Sequence, residues 1–187
     1  MHTRHGRSRM VWALCLFLAG SLTLPGAAQA RTAQEIDASV NAALDRLVKQ
    51  VRGSGDVLRM AKGVLVFPGV IQAGIGIGGE YGEGALRIGR RTVAYYSIAS
   101  ASIGFQLGAQ KKDIILVFLQ EDALRKFQAS EGWKIGVDGS VVLIDVGAEG
   151  SIDTTKLNKP IVGFVVGQKG LMYNLSLEGS KISKLKK

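Results

Sequence analysis

Histidine and cysteine are almost missing from these 187 residues: there are two of the first and one of the second, His2, His5 and Cys15. All three lie in an N-terminal stretch that reads as a secretory signal. Arg4, Arg7 and Arg9 form a basic start without any acid, an apolar run extends from Met10 to Leu24, and Ala28-Gln29-Ala30 offers the small-x-small pattern of a signal-peptidase site. The run is shorter than the ~20 residues a membrane-spanning helix needs. Cys15 sits in mid-run, so no lipid anchor is expected. Cleavage between Ala30 and Arg31 therefore yields an exported chain with no thiol, disulfide or imidazole, stabilised by its core alone. Cys–His and Ser–His–Asp catalysis are excluded, as are zinc sites built on His or Cys. Carboxylate chemistry, a Ser–Lys pair or an oxygen-ligand cation site would survive. Asp138, Asp145, Glu149 and Asp153 do not have calcium-loop spacing and read as turn and strand-end residues. Ser180 and Lys181 are adjacent, and nothing in the sequence makes them converge. The reading is of a protein that is not an enzyme and has no metal and no cofactor.

Charge of one sign is also scarce over most of the chain. Removing Arg4, Arg7 and Arg9 from the formal net charge of +9 leaves +6, of which Lys181, Lys184, Lys186 and Lys187 supply four. A nearly neutral body with a basic tail does not have the basic face, interleaved with aromatics, of a nucleic-acid-binding protein.

Apolar residues Ile36, Val40, Leu44, Leu47, Val48 and Val51 recur every three or four positions, which predicts an amphipathic helix over 33–52. Thr32 is placed to cap it and Gly53 to end it. Ser54 opens a short second helix to about Lys62, and a third is expected from Glu121 to Ala129 with Leu124 and Phe127 buried. The rest reads as strand: 63–67 ending at Pro68, 70–88, 92–99, 102–110, 114–119 buried on both faces, then 133–146, 148–152, 161–166 and 171–178. The expected fold is α+β: a Gly-rich, mainly antiparallel β-barrel or sandwich with the N-terminal helix and a few short ones. Residues 1–30 form the signal and 31–187 a single domain, helical over about 32–62, β-rich over 63–180 and basic over 181–187.

Residues 73–86, AGIGIGGEYGEGAL, contain Gly74, Gly76 and Gly79 in the G-x-G-x-x-G spacing of a dinucleotide-binding turn. That turn must open into a helix. Here two more glycines follow within five residues, each costing ~1 kcal/mol in a helix relative to Ala. Glu80 and Glu83 would repel pyrophosphate, and no acid follows Glu83 before Asp113 to hold a ribose. No nucleotide cofactor is expected. Gly74, Gly76 and Gly78 instead alternate with Ile75 and Ile77, and Gly104 and Gly136 stand in similar settings. Strand glycines mark bends, bulges or the close approach of another backbone. Barrel curvature and a shallow ligand groove both remain open.

A resemblance covers the chain from residue 61 onward. AKGVLVFP (61–68) followed by AGIGIGGEYGEGAL, YYSIASASIGFQLGAQ, DIILVFLQEDALRKF, GWKIGVDGSV and GLMYNLSLEGSKI is similar, in that order, to the SYLF domain. The resemblance implies a lipid-binding module: eukaryotic relatives bind phosphoinositides, some fungal ones bind and bundle actin, and in some an N-terminal amphipathic helix touches the membrane. For an exported chain without partner domains, anionic phospholipid at a periplasmic or outer surface is the expected partner, with peripheral membrane association. Candidate headgroup contacts are Lys181, Lys184, Lys186 and Lys187, with Arg46, Lys49 and Arg52 set at steps of three on the first helix. A structural or partner-binding envelope protein is the alternative, and a lipid-modifying enzyme a more distant one. Arg90, Arg91, Lys111 and Lys112 read as solvated turns.

Overall fold

The computed structural model describes residues 31–104, 110–144, 152, 154–167, 170–171 and 176–187. The signal segment 1–30, Asp145, Glu149, Asp153 and most of the expected strand 148–152 lie outside the described residues. So do parts of the expected strands 102–110 and 171–178.

Helix α1 (Ala33–Gln50) begins where the sequence places its cap. The Glu35 N–H donates to the Thr32 hydroxyl at 3.2 Å, and the Glu35 carboxylate accepts from the Thr32 N–H at 2.7 Å. These bonds favour the charged carboxylate and lower the Glu35 pKa. The helix ends at Val51. Gly53, at φ +85°, turns the chain and is the N-cap of α2 (Ser54–Met60). Ser54, expected as that cap, does something else. It is fully buried, and its hydroxyl donates to the carbonyls of Val51 at 2.7 Å and Leu47 at 3.2 Å, fastening α2 to the end of α1.

The remaining chain forms strands β1 (Gly63–Ile88), β2 (Arg91–Gly104) and β3 (Gln110–Phe118), helix α3 (Glu121–Ala129), then β4 (Gly132–Lys134), β5 (Val142–Leu143), β6 (Ile161–Gly167), β7 (Gly170–Leu171) and β8 (Lys181–Leu185). They make one sheet in the order β4-β8-β2-β1-β3-β6-β5, with β7 added to β6. All pairings are antiparallel except β5 with β6. The class is α+β with a mostly antiparallel sheet.

Two expected strands, 63–67 and 70–88, are one. Proline cannot donate to a ladder and normally stops a strand. Here Pro68 and Gly69 together oppose Asp113, because the register passes from Phe67↔Ile114 to Val70↔Lys112. The bulge inverts which residues face which side: Leu65 and Phe67 before it, but Val70 and Leu86 after it, join the same core.

At about 3.3 Å per residue, the 26 residues of β1 would span roughly 85 Å if straight. The strand instead doubles back between Gln72 and Gly78. Its first half pairs with β3 and its second with β2. The two halves approach so closely that a Cβ on Gly84 would lie 1.9 Å from the Val66 carbonyl oxygen, and one on Gly82 would lie 2.7 Å from a Val70 methyl. Gly82 and Gly84 are thus the glycines that a close backbone approach requires. Gly76 pairs with Gly104 and Gly78 with Ser102 within the β1–β2 ladder, while Gly136, at φ +88°, supplies a left-handed turn.

The sheet is covered on both faces. Along β3, Ile114, Leu116 and Phe118 enter one core with α3, where Phe127 stacks within 5.0–5.5 Å of Tyr96, Phe118 and Trp133. Ile115 and Val117 enter the other, under α1, with Ile36, Val40, Ala43 and Leu47. Ile36, Val40 and Leu47 of the expected apolar stripe are therefore buried on the sheet, whereas Val48, expected with them, is half exposed on the flank of the helix.

The segment expected as a basic tail is largely a strand. Ile182 is buried between Ile98 and Trp133, and Ser183 and Leu185 pair with Ser97 and Tyr95.

Candidate functional site

The seven basic residues expected to meet lipid do not come together. Steps of three along a helix with 3.6 residues per turn rotate by 60°, so Arg46, Lys49 and Arg52 do not share one direction. Arg46 swings to one flank of α1 and grips Asp113 with two nitrogens, Nε and Nη2, each 2.8 Å from Oδ2. Asp113 is buried, and its other oxygen accepts the Gly69 N–H at 2.8 Å. Arg46 thereby fixes α1 to the bulge of β1. Lys49 and Arg52 are exposed. Successive residues of a strand point to opposite faces, so Lys181 and Lys184 do too; Lys181 also sits directly opposite Lys134, a like charge. Lys187 turns inward: its Nζ lies 3.2 Å from Glu83 Oε2 and donates to the Arg31 carbonyl at 2.5 Å. Glu83 is buried and accepts the Tyr81 hydroxyl as well. Burial, then the neighbouring Glu83 charge, raises the Tyr81 pKa. Lys112, expected in a solvated turn, is buried and paired with Glu80 at 2.7 Å.

A different set of cations gathers on the other flank of α1. Asn41, Leu44, Asp45 and Val48 follow one another at helical spacing and form one wall of a cleft. Gly55, Leu58 and Arg59 of α2, with Ala61 to Val64, form the facing wall, and Arg87, Gly89 and Arg90 close the end. The β1–β2 turn places these last residues. Ile88 pairs with Arg91 across a two-residue loop, and Gly89 and Arg90 both have positive φ, 54° and 71°. That is the type I′ geometry that suits the twist of a hairpin. The cleft encloses ≈ 780 Å³, a size seen in ligand clefts, roughly 300–1,000 Å³. Four basic residues, Arg59, Lys62, Arg87 and Arg90, line it together with apolar Leu44, Val48, Leu58 and Val64, and Asp45 is the one acid among the lining residues.

Arg87 is held in place and not fully used. Its guanidinium donates to Asn41 Oδ1 at 2.6 Å and to the Asp37 carbonyl at 3.4 Å and lies 3.8 Å from the Asp37 carboxylate, while Nε is buried without a partner among the described residues. Asp37 in turn accepts from Thr92 at 2.7 Å and from Tyr95 at 3.0 Å. Burial and the Asp37 contact raise the Tyr95 pKa. Arg59 also contacts Asp56 one turn back on α2. Sequence reasoning missed Arg59, Lys62 and Arg87 because the first two are 25 residues or more from the third in the chain. A charged residue set between the apolar Leu86 and Ile88 was the one local signal.

A second, smaller cleft of ≈ 290 Å³ lies on the Arg46 flank, lined by Gln50, Lys111 and Gly167 among others, with Arg46 and Lys112 already engaged. Among the described residues no group of His, Cys, Asp and Glu is placed to hold a metal ion, and Asp138 instead accepts the Lys134 N–H at 2.6 Å to close a turn. No helix among the described residues is long and apolar enough to cross a membrane. Gly74, Gly76 and Gly79 lie within β1, which continues as strand to the hairpin, without the helix a dinucleotide site needs.

The structure defines an α+β domain with a cation-lined cleft between its first two helices and the first hairpin. Residues 99–187 match the family model described as "Ysc84: Las17-binding protein actin regulator", in agreement with the resemblance of the sequence to the SYLF domain. No curated protein is similar enough to the chain to count as a match.

Proposed function

We propose that the protein is an exported, non-enzymatic lipid-binding protein that meets anionic phospholipid through basic residues and an apolar surface, at the periplasmic or outer side of a membrane. The observation that supports this reading is the cleft, where Arg59, Lys62, Arg87 and Arg90 share the lining with apolar Leu44, Val48, Leu58 and Val64. Resemblance to the SYLF family makes lipid a fitting ligand. The basic strand β8 supports it less than the sequence suggested, since one of its neighbours, Lys187, is consumed internally. Four cations near an anionic surface contribute about 4 kcal/mol, only about millimolar affinity, so apolar contact must add to them.

Native mass spectrometry of the purified protein tests the reading directly, through a co-purified lipid. Sedimentation with anionic vesicles at low and high salt is the companion test. A protein that carries no lipid and stays in the supernatant with every anionic vesicle is not a lipid-binding protein. The family description favours one further reading, a protein partner. Actin is a poor candidate for an exported chain, and co-sedimentation with actin filaments decides that.

A further inference from the structure

We propose that the cleft side of the domain is the surface that lies flat on an anionic bilayer, with Val48 and Met60 as its apolar contacts and Arg59, Lys62 and Arg90 as its headgroup partners. This rests on the lipid-binding reading and adds an orientation to it. Apolar surface rimmed by polar residues marks an interaction site, whereas exposed apolar side chains scattered singly do not. Val48 forms part of the cleft wall and is 50% exposed, and Met60, which follows Arg59 at the end of α2, is 49% exposed. Met60 does not itself line the cleft but stands between two residues that do, Arg59 and Ala61, whereas Ile71, Tyr81, Val93 and Val137 neither line it nor adjoin a lining residue in the chain.

Charge complementarity selects the occupant. Lys62 and Arg90 make no ion pair among the described residues, and Asp45 is the one acid on the cleft wall. An unbranched thioether beside Arg and Lys heads suits the boundary between headgroups and acyl chains, where long basic side chains keep their charge in the polar layer. Two other surfaces are poorer choices. The apolar stripe of α1 is closed against the sheet at zero exposure for Ile36, Val40, Ala43 and Leu47. Lys181 and Lys184 diverge to opposite faces of β8, and the apolar residue between them, Ile182, is buried.

The test compares two triple variants that remove the same net charge. One is Arg59→Gln, Lys62→Gln and Arg90→Asn, the last chosen because Asn tolerates the left-handed turn. The other is Lys181→Gln, Lys184→Gln and Lys186→Gln. Binding of the mature chain to vesicles of phosphatidylcholine with phosphatidylglycerol is measured against vesicles of phosphatidylcholine alone. Each cation in contact with the surface is worth about fivefold in affinity, so the cleft triple is expected to lose roughly a hundredfold. The β8 triple, which loses only distant attraction, is expected to lose no more than about fivefold.

A Met60→Trp variant gives an independent readout. The emission of the introduced indole should be quenched by lipids brominated in the upper acyl chain, and it decides the matter if the cleft triple does not fold. Equal losses in the two triples, or an indole emission in Met60→Trp untouched by brominated lipid while the protein is bound, overturn the orientation and leave lipid binding standing. An intact protein that binds neither vesicle overturns both.

Discussion

Two regions of this domain carry positive charge in opposite ways. On one flank of α1 and at the ends of the chain, Arg46 and Lys187 are matched to the buried carboxylates of Asp113 and Glu83, and Lys112 to the partly buried Glu80. On the other flank, Lys62 and Arg90 face a cleft without such partners, and Arg87 keeps a buried nitrogen unpaired. The first group joins distant segments: α1 to the β1 bulge, β3 to the returning half of β1, and Lys187 to Arg31. The second leaves positive potential beside apolar surface. Arg46, Lys112 and Lys187 are thus part of the fold and Lys62 and Arg90 part of a surface, while Arg87, ion-paired with Asp37 at the cleft, belongs to both.

The sharpest break of that comparison is Glu80→Ala. It strands the Lys112 ammonium, whose side chain is 3% exposed, and removal of one partner of a buried pair costs about 3–5 kcal/mol. Chemical denaturation should show that loss, and an unchanged midpoint would mean that Lys112 finds water. Next is Asp113→Ala, which frees both Arg46 and the Gly69 N–H. Arg46 is partly exposed and can rehydrate, so about 2–3 kcal/mol is expected, chiefly from the orphaned N–H and the loosened bulge. Amide exchange at Gly69 should accelerate along with it.

The bulge also shows where sequence reasoning stops. Helices α1 and α3 were legible because their signals are local: a 3.6-residue apolar period, and for α1 the Thr32–Glu35 box, with partners three residues apart. The strand ending at Pro68 was not, because Asp113, which accepts the Gly69 N–H and lets the strand run on, lies 44 residues away. That strand glycines mark bends or close backbone approach was legible, and Gly82 and Gly84 add two positions that the sequence did not single out. Only the fold-back of β1 shows that Gly84 meets the Val66 carbonyl. Of the candidate site, the lipid class came from the resemblance and the cations that line the cleft came from the structure. Residues 181–185 looked like a tail because three lysines dominate residues 181–186, while Ile182, the residue that places the strand, needs Ile98 and Trp133 beside it.

A smaller effect is expected at the chain terminus. Lys187→Ala leaves Glu83, whose side chain is 8% exposed, without its cation. Tyr81 still donates to it, so about 1–2 kcal/mol is predicted, below the cost of a fully stranded charge. Thermal unfolding measures this, and an unchanged midpoint would mean that Glu83 is satisfied without the Lys187 ammonium. The smallest effect on stability belongs to the cleft. Arg59→Gln with Lys62→Gln should shift unfolding by no more than about 0.5 kcal/mol, as for surface positions in general.

The central claim is that the two sets of cations are separable, and one paired measurement tests it. Unfolding free energy and affinity for phosphatidylglycerol vesicles would be determined on the same preparations of Lys187→Ala and of the Arg59, Lys62 and Arg90 triple variant. The account predicts that Lys187→Ala loses stability and keeps vesicle affinity while folded, whereas the triple variant keeps stability and loses affinity. A Lys187→Ala protein as stable as the parent but unable to bind vesicles, with a triple variant that binds normally, would contradict it.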